Sequence, residues 1–382
     1  MKWRSSFRGK SWLIGLTLLA YSANAGELYL GVPKPAIEQV IELGYNLDAR
    51  TPELIEAMIQ EYPASPMGLC LKAARLFRLD GYAEGTDETL TEAFEIVSEA
   101  AIKAAKVYFE EHPDDPTADY AVAMCELNLA RYYIEHGRWF GGFFKARSGL
   151  GRLNEILKKD PDFHDAKLPL GVANCFLDKV PAYLKPIALL LRFSGDMELG
   201  LQQLQDAETK GFIARHESLY YQVGVQWELL DDREAAGRIL DRFLGRFPRN
   251  VDAHVMRAHL DRQLENYEAA MARYDYALSM PEVSYLKEAR EWTVFQSGYT
   301  ALYLENAEEA LKRANQVLDT ISEERKKLGA WSRVLKGNAL IHLKRFEEAR
   351  GVLNTVKKSQ SSDAYKGANV ALEQLKEIEE AL

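Results

Sequence analysis

The chain has 382 residues, of which 47% are hydrophobic and 27% charged, a composition typical of a folded protein with a substantial core. Its formal net charge is −9. Nucleic acid and anionic membrane surfaces attract basic faces, so this acidic excess argues against either as the main partner.

The first 25 residues form a segment of a different kind. Four basic side chains and no acidic one precede an apolar stretch from Trp12 to Tyr21, and Ala23-Asn24-Ala25 follows. A basic region, a short apolar core and an A-x-A ending predict a cleavable secretory signal, with cleavage after Ala25. Its removal takes away four of the 48 basic residues, so the mature chain would carry a net charge of −13. We therefore expect an exported, periplasmic protein with no transmembrane span after processing.

The rest of the chain has apolar residues three and four positions apart almost throughout, which predicts helices and no strands. Small residues recur twelve positions apart in four pairs: Gly224 and Ala236, Ala258 and Ala270, Gly298 and Ala310, and Gly337 and Ala349. Two antiparallel helices joined by a tight turn approach closely only where small side chains meet. This spacing therefore predicts four helical hairpins.

The segments GVQWELLDDREAAGRIL (224–240) and GNALIHLKRFEEARGVL (337–353) resemble tetratricopeptide repeats (TPR), in which a small residue, a turn and an alanine recur in this order. The resemblance implies an all-α fold, a TPR-type solenoid or α-α superhelix of stacked hairpins. It also implies a protein-protein interaction scaffold that holds partners on the concave surface lined by the first helices.

The N-terminal half has the same pattern with longer separations. Its three pairs, separated by 28, 26 and 29 residues, are Ala73 and Ala101, Ala123 and Gly149, and Gly171 and Gly200. Relative to a spacing of twelve, the three hairpins have lengthened connections with insertions of 16, 14 and 17 residues. Residues 34–62 form an additional amphipathic pair of helices, and residues 180–200 are the third insertion. That insertion is either buried in the protein or offers one apolar side to a partner or lipid.

The resulting domain prediction has four parts. They are a signal peptide (1–25), N-terminal helical repeats with insertions (26–211), regular TPR repeats (212–361) and a C-terminal capping helix (362–382).

Two segments of the inserted half carry a narrower resemblance. GGFFKARSGLGRLNEIL begins at Gly141, and Phe193, Gly195, Asp196, Gly200, Leu201 and Leu204 follow a GFxGDxxxGLxxL pattern, with Arg192 in place of its first glycine. Over residues 138–250 the chain is similar to the tetratricopeptide repeat protein thirty-nine (inclusion-body-clearance) family and its bacterial relatives. The resemblance implies helical-repeat scaffolding without an established active site. The glycines and aromatic residues of 138–153 are interpreted as close helix packing, with a ligand pocket as the alternative.

The first helices supply the predicted partner-binding residues. Trp292, Phe295 and Tyr299 lie at positions i, i+3 and i+7 and share one side of their helix. In the repeat frame the same side carries Tyr221, His259, Trp331 and Asn338. An aromatic groove is suited to apolar or extended-peptide anchors. The alternative is that neighbouring helices or the terminal helix cover these rings.

The sequence contains no H-E-x-x-H, G-x-S-x-G, phosphate-binding loop or C-x-x-C pattern, so no catalytic residue, cofactor or metal site is predicted. Cys70, Cys125 and Cys175 are interpreted as buried small side chains, and a Cys125–Cys175 bridge is the alternative.

The leading hypothesis is a non-enzymatic periplasmic or cell-envelope scaffold or adaptor that binds a protein or peptide in its groove, with no nucleic acid as partner. Peripheral association with the envelope is left open. The alternative is a binder of an apolar small molecule or lipid in a pocket formed by the N-terminal insertions. A third hypothesis is an enzyme subunit whose partner performs the catalysis.

Overall fold

The computed structural model describes residues 27–82, 88–179, 195–281, 287–323 and 325–381. The predicted signal peptide and residues 180–194 of the third insertion lie outside the described residues. The chain divides into two compact units, the first Met1–Asp80 with Glu88–Pro248 and the second Gly81–Asp87 with Arg249–Leu382. The predicted change of repeat type at 211/212 does not coincide with this division and stays a prediction.

Nearly all the regular secondary structure of the described residues is helical, which confirms the all-α fold class. The expectation of no strands is wrong for one short antiparallel pair. Strands β1 (Leu28–Tyr29) and β2 (Val32–Pro33) pair antiparallel. The helices are α1 (Lys34–Tyr45), α2 (Thr51–Glu61), α3 (Met67–Tyr82), α4 (Glu88–Glu111), α5 (Pro116–Glu135), α6 (Trp139–Lys159), α7 (Lys167–Asp178), α8 (Met197–Lys210), α9 (Ala214–Gly224), α10 (Arg233–Arg246), α11 (Val251–Gln263), α12 (Tyr267–Ser279), α13 (Lys287–Tyr303), α14 (Ala307–Thr320), α15 (Lys326–His342), α16 (Phe346–Leu353) and α17 (Ser362–Ala381). None of these described helices is both long enough and apolar enough to cross a membrane.

Three regular hairpins of the second unit share one turn. Glu265, Glu305 and Lys344 take positive φ angles of 63°, 56° and 57°. The amide of the next residue then donates to the carbonyl five positions earlier, at 2.8–2.9 Å. This arrangement satisfies carbonyls at the end of the first helix and reverses the chain within a few residues. The same turn therefore recurs in these TPR-type hairpins, and it explains why the small residues of each hairpin are twelve positions apart.

Close crossings follow the turn. A Cβ on Gly298 would lie 3.0 Å from the Cβ of Arg313 and 3.7 Å from the carbonyl oxygen of Ala310 on α14, and a Cβ on Gly337 would overlap the side chain of Leu353 on α16. The predicted crossing role of Gly224 is wrong, because nothing lies within 4 Å of the position that its Cβ would take. Here α9 continues into a π-helical turn over Val225–Leu229, which changes the course of the chain before α10.

In the second inserted hairpin, most of the extra residues lengthen the two helices rather than their connection. Helix α5 ends at Glu135 and α6 begins at Trp139, so only three residues join them. A Cβ on Gly149 would lie 2.9 Å from the carbonyl oxygen of Ala123, and one on Gly142 would lie 2.8 Å from that of Ala130. The two contacts are seven residues apart on each helix, which is about two helical turns. The glycines therefore act as packing residues, as the sequence indicated. The same interpretation is wrong for Trp139, Phe140 and Phe144, which are 65%, 85% and 65% exposed.

The N-terminal segment, residues 28–45, lies across the ends of several hairpins of the first unit. The Tyr29 hydroxyl donates to Asp165 at 3.0 Å, and the Tyr29 ring lies 5.2 Å from that of Phe212. At the other end of the segment, the Tyr45 ring lies 4.9 Å from that of Phe247. Apolar side chains of this segment, including Ile37 (0% exposed), join the main core of the unit. The segment is thus an integral part of the first unit.

Candidate functional site

The predicted residues of the second unit fall into two rows. His259, Tyr299 and Asn338 each follow directly after the small residue at which their hairpin crosses, and we call them the polar row. Trp292 and Trp331 each precede that residue by six positions and form the indole row. Helices α11, α13 and α15 are the first helices of successive hairpins, so equivalent positions lie on equivalent sides of them.

Helix α13 supplies a ladder of rings that connects the two rows. The ring of Trp292 lies 5.4 Å from that of Phe295 at an interplanar angle of 79°. The ring of Phe295 lies 5.0 Å from that of Tyr299 at 72°. Edge-to-face contacts at these distances are favourable because the positive ring edge meets the negative face. The helical spacing of three and four residues produces this geometry and fixes the orientation of each ring.

The three rings are covered to different degrees. Phe295 is 5% exposed and belongs to the core, whereas Trp292 and Tyr299 are half-buried. Burial raises the pKa of Tyr299, and the neighbouring Tyr303 adds to the effect. The phenol therefore stays protonated at neutral pH and can donate a hydrogen bond. Phe295 holds the two outer rings in place, and its predicted direct contact with a partner stays a prediction.

His259 is fixed by two residues of its own helix. Arg262 donates from Nη2 to His259 Nδ1 at 3.0 Å, and the side-chain amide of Gln263 lies 3.3 Å from Nε2. Burial lowers the pKa of His259 to about 4, and the positive charge of Arg262 contributes in the same direction. The imidazole is therefore neutral at pH 7. It places a rigid, uncharged ring at this end of the polar row.

Helix α15 contributes Trp331 and Asn338. A Cβ on Gly367 of α17 would lie 3.3 Å from the Trp331 ring, so the terminal helix covers part of the indole. Trp331 remains half-buried rather than fully enclosed. Asn338 is also half-buried, and its side chain makes no hydrogen bond with any residue in the described part of the chain. Its carboxamide can thus donate to and accept from a ligand.

A buried ion pair joins α13 to the beginning of α15. Arg325 donates from Nη1 to Glu291 Oε2 at 2.7 Å, and both side chains are 3% exposed. Glu291 directly precedes Trp292, and Arg325 directly precedes α15. The pair therefore sets the position of α13 relative to α15, and with it the spacing of the indole row.

Tyr221 lies in the first unit, where its hydroxyl lies 3.4 Å from Arg131 Nη1. Burial raises the pKa of this phenol, and the nearby Glu217 carboxylate adds to the effect. The rows described above belong to the second unit, so partner binding by Tyr221 stays a separate prediction.

The sequence interpretation missed several residues beside the rows. Arg262 and Gln263 follow His259 by three and four positions, which is the spacing of one helix face. Tyr303 follows Tyr299 by four, is 54% exposed, and stacks on Tyr267 at 4.8 Å between ring centroids. The same periodicity that selected Trp292, Phe295 and Tyr299 would have found these residues. The stacked tyrosines extend the aromatic surface beyond the ladder.

The chemistry of the two rows is that of recognition. Half-buried indoles offer apolar area, and the polar row offers a phenol, a carboxamide and a neutral imidazole. Within the described ranges, no three His, Cys, Asp or Glu side chains come together as a metal site. The rows can bind an apolar or extended ligand, with hydrogen bonds to fix its direction.

No protein-family model matches the chain, and no curated protein matches it at a significant level. Among solved structures, it is similar to a tetratricopeptide repeat protein from Parabacteroides merdae (14% identity, 78% of this chain and 99% of that chain, TM-score 0.36). It is also similar to the TPR domain of P58(IPK) (17%, 78% and 77%, 0.25) and to yeast Tom70 (15%, 88% and 80%, 0.34).

The first two of these neighbours are described as TPR proteins. The repeated turn and the close crossings described above give this chain its TPR-type helical hairpins. The narrower resemblance to the inclusion-body-clearance family stays a prediction.

Proposed function

We propose that this protein is an exported, non-enzymatic scaffold or adaptor, and that its second unit binds an extended segment of a protein partner along the two rows. The observation that carries the proposal is that aromatic and hydrogen-bonding side chains recur at equivalent positions of α11, α13 and α15. One row presents Trp292 and Trp331, and the other presents His259, Tyr299 and Asn338. Periodic side chains on successive repeats fit a ligand that is itself extended.

Each row has a distinct part in the proposed complex. The indoles supply apolar contact area for side chains of the partner, since Trp is among the residues that dominate binding energy at interfaces. Asn338 has both a donor and an acceptor without a partner among the described residues, so it suits the backbone of a peptide. Tyr299 adds a second donor. Phe295 and the Glu291–Arg325 pair hold these groups in position.

The test is site-specific photocrosslinking from position 303, which is 54% exposed beside the polar row, in cells that make the full chain, followed by identification of the crosslinked protein. Replacing Trp292 and Trp331 together with Ala should remove the crosslink. Trp139→Ala is the matched control, because Trp139 is 65% exposed in the first unit and lies outside the rows. Asn338→Ala, read out by pull-down of the identified partner, should weaken capture without lowering the melting temperature.

The proposal fails if the double tryptophan variant remains folded, as judged by circular dichroism, and still gives the wild-type crosslink. It also fails if Trp139→Ala removes the crosslink to the same extent.

Export is part of the proposal and rests on the sequence of residues 1–25. The intact mass of the protein recovered from a periplasmic fraction should correspond to a chain that begins at Gly26. Recovery of the protein only from the cytoplasm with residues 1–25 attached would contradict export and leave the binding proposal standing.

A second candidate function is contact with lipid, and it is favoured by the tip of the second hairpin. Trp139, Phe140 and Phe144 are 65%, 85% and 65% exposed at the start of α6. Exposed aromatic side chains close together in sequence are typical of surfaces that meet a membrane or another protein. The test is co-flotation with vesicles of phosphatidylethanolamine and phosphatidylglycerol. Trp139→Ala with Phe140→Ala should abolish co-flotation, whereas Trp292→Ala with Trp331→Ala should not.

A further inference from the structure

Two of the three cysteines lie against each other in the first unit. The sulfur of Cys70 on α3 lies 3.4 Å from that of Cys125 on α5, although 55 residues separate them in sequence. The third, Cys175, lies in another apolar cluster beside Leu168 and Leu204. The alternative considered from the sequence, a Cys125–Cys175 bridge, is therefore replaced by a different pair.

The position of the pair permits a covalent bond. A disulfide has a sulfur–sulfur length of about 2.05 Å, so the two atoms need to approach by about 1.4 Å. Side-chain rotation at two neighbouring helices can supply a displacement of this size. Cys125 is 3% exposed, whereas Cys70 is partly exposed, so an external reagent reaches Cys70 first.

We propose that Cys70 and Cys125 form a redox-active dithiol that closes to a structural disulfide between α3 and α5. The oxidant is a disulfide-bearing molecule of the glutathione or thiol-oxidoreductase class. The thiolate of Cys70 attacks the oxidant's disulfide, forms a mixed disulfide and releases one thiol. The thiolate of Cys125 then attacks the sulfur of Cys70 and releases the second thiol. The two cysteines lose two protons and two electrons, and the oxidant is reduced to two thiols.

The surroundings assign the two cysteines different parts in this exchange. The hydrogen bond with Cys70 and burial both raise the pKa of the Cys125 thiol, so its thiolate is scarce at neutral pH. The more exposed Cys70 therefore makes the first attack. Cys125 completes the bond from inside the core, where the mixed disulfide brings the sulfur of Cys70 to it.

Closure would tie together two helices that are distant in sequence. The bond encloses α4, which also packs between these helices through Phe94 against Phe77 and Tyr132. A loop of this length restricts the unfolded chain strongly, so we expect the melting temperature of the first unit to rise by about 10 °C on oxidation.

The experiment uses the full chain, reduced, freed of reductant and then incubated with oxidised glutathione. The protein is denatured in iodoacetamide and examined by intact mass and by peptide mapping without reduction. The expected result is a crosslinked peptide pair containing Cys70 and Cys125, with a single alkylated thiol at Cys175. Cys175→Ser should keep the bridge and the rise in melting temperature.

Three alkylated thiols after oxidation, or a bridge that contains Cys175, would overturn the proposal. Because Cys125→Ala could disturb the core, the decisive comparison is made on the wild-type chain, where added dithiothreitol should reverse both the crosslink and the melting shift. A melting temperature that is equal before and after bridge formation would contradict the stabilising role. The outcome is independent of the binding proposal, since the rows lie in the second unit.

Discussion

The Glu291–Arg325 pair offers the sharpest test of how the candidate site is held together. Both side chains are 3% exposed and meet at 2.7 Å, so solvent does little to screen their charges. Two unit charges about 4 Å apart interact by about 4 kcal/mol at the effective permittivity of a protein site. Removing one partner leaves the other charge buried, and we expect Glu291→Ala to lower the free energy of unfolding of the second unit by about 3–5 kcal/mol.

The assay is urea unfolding followed by circular dichroism, together with hydrogen exchange of the amides of α13 and α15. A matched control is Glu348→Ala. Glu348 pairs with Arg345 at 2.8 Å, but the two side chains are 58% and 45% exposed. An exposed pair is screened by water, so this variant should unfold with the wild-type midpoint.

A second variant separates charge from packing. Glu291→Leu combined with Arg325→Met removes both charges and should recover most of the lost stability, because buried ion pairs are often replaceable by apolar residues of similar volume. If Glu291→Ala destabilises no more than Glu348→Ala, the ion pair does not set the position of α13. The account of the indole row would then be refuted.

Three further predictions concern other parts of the chain. Asp165 accepts hydrogen bonds from the Tyr29 hydroxyl and from the Phe212 and Ala214 amides, at 3.0, 2.7 and 3.0 Å. Asp165→Ala should lower the free energy of unfolding by about 2–4 kcal/mol and speed hydrogen exchange at residues 28–33, whereas Tyr29→Phe should lower it by only about 1 kcal/mol. Gly200→Ala places a Cβ 2.5 Å from Cys175 Sγ and 2.9 Å from a backbone oxygen, so it should destabilise by about 1–3 kcal/mol. Gly245→Ala, at an exposed helix position with nothing within 4 Å, should stabilise the protein by about 0.5–1 kcal/mol. Equal urea midpoints for the Gly200→Ala and Gly245→Ala variants would contradict the packing role of Gly200 and the open position of Gly245. In the folded protein the pKa of His259 is about 4, below its usual value of 6.5. The contribution of this group to the free energy of unfolding is therefore fully present above pH 6.5 and is lost as the pH falls toward 4. Half-burial limits the loss to about 1–2 kcal/mol, and His259→Gln should abolish that part of the pH dependence in urea titrations.

The regular hairpins could be predicted from sequence because the turn and the crossing are both local. A glycine or alanine at the crossing, a turn and a second alanine lie within twelve residues, and helix geometry leaves one way to bring them together. Gly298 and Gly337 follow this rule. Gly224 does not, because a π-helical turn over Val225–Leu229 replaces the regular end of the helix, and no simple residue pattern marks such a turn.

The features that could not be predicted from the sequence depend on contacts between residues far apart along the chain. Tyr29 meets Asp165 across 136 positions, and Cys70 meets Cys125 across 55. Nothing in the local pattern of either residue specifies its partner, since several buried positions would accept a phenol or a thiol equally well. At the candidate site, the face of Tyr299 followed from helical periodicity. Its degree of burial did not, because burial depends on how tightly successive hairpins pack.

The seven-residue step between Gly142 and Gly149 has a consequence for how the α5–α6 hairpin can vary. At 1.5 Å per residue, seven residues lengthen each helix by about 10 Å and restore almost the same angular phase. Whole heptads can therefore be added to or removed from both helices while glycines still face Ala123 and Ala130. A single-residue deletion instead turns everything beyond it by about 100°. The length of the hairpin can therefore change in steps of one heptad. Each step moves the aromatic end, with Trp139 and Phe140, without altering the packing at the base.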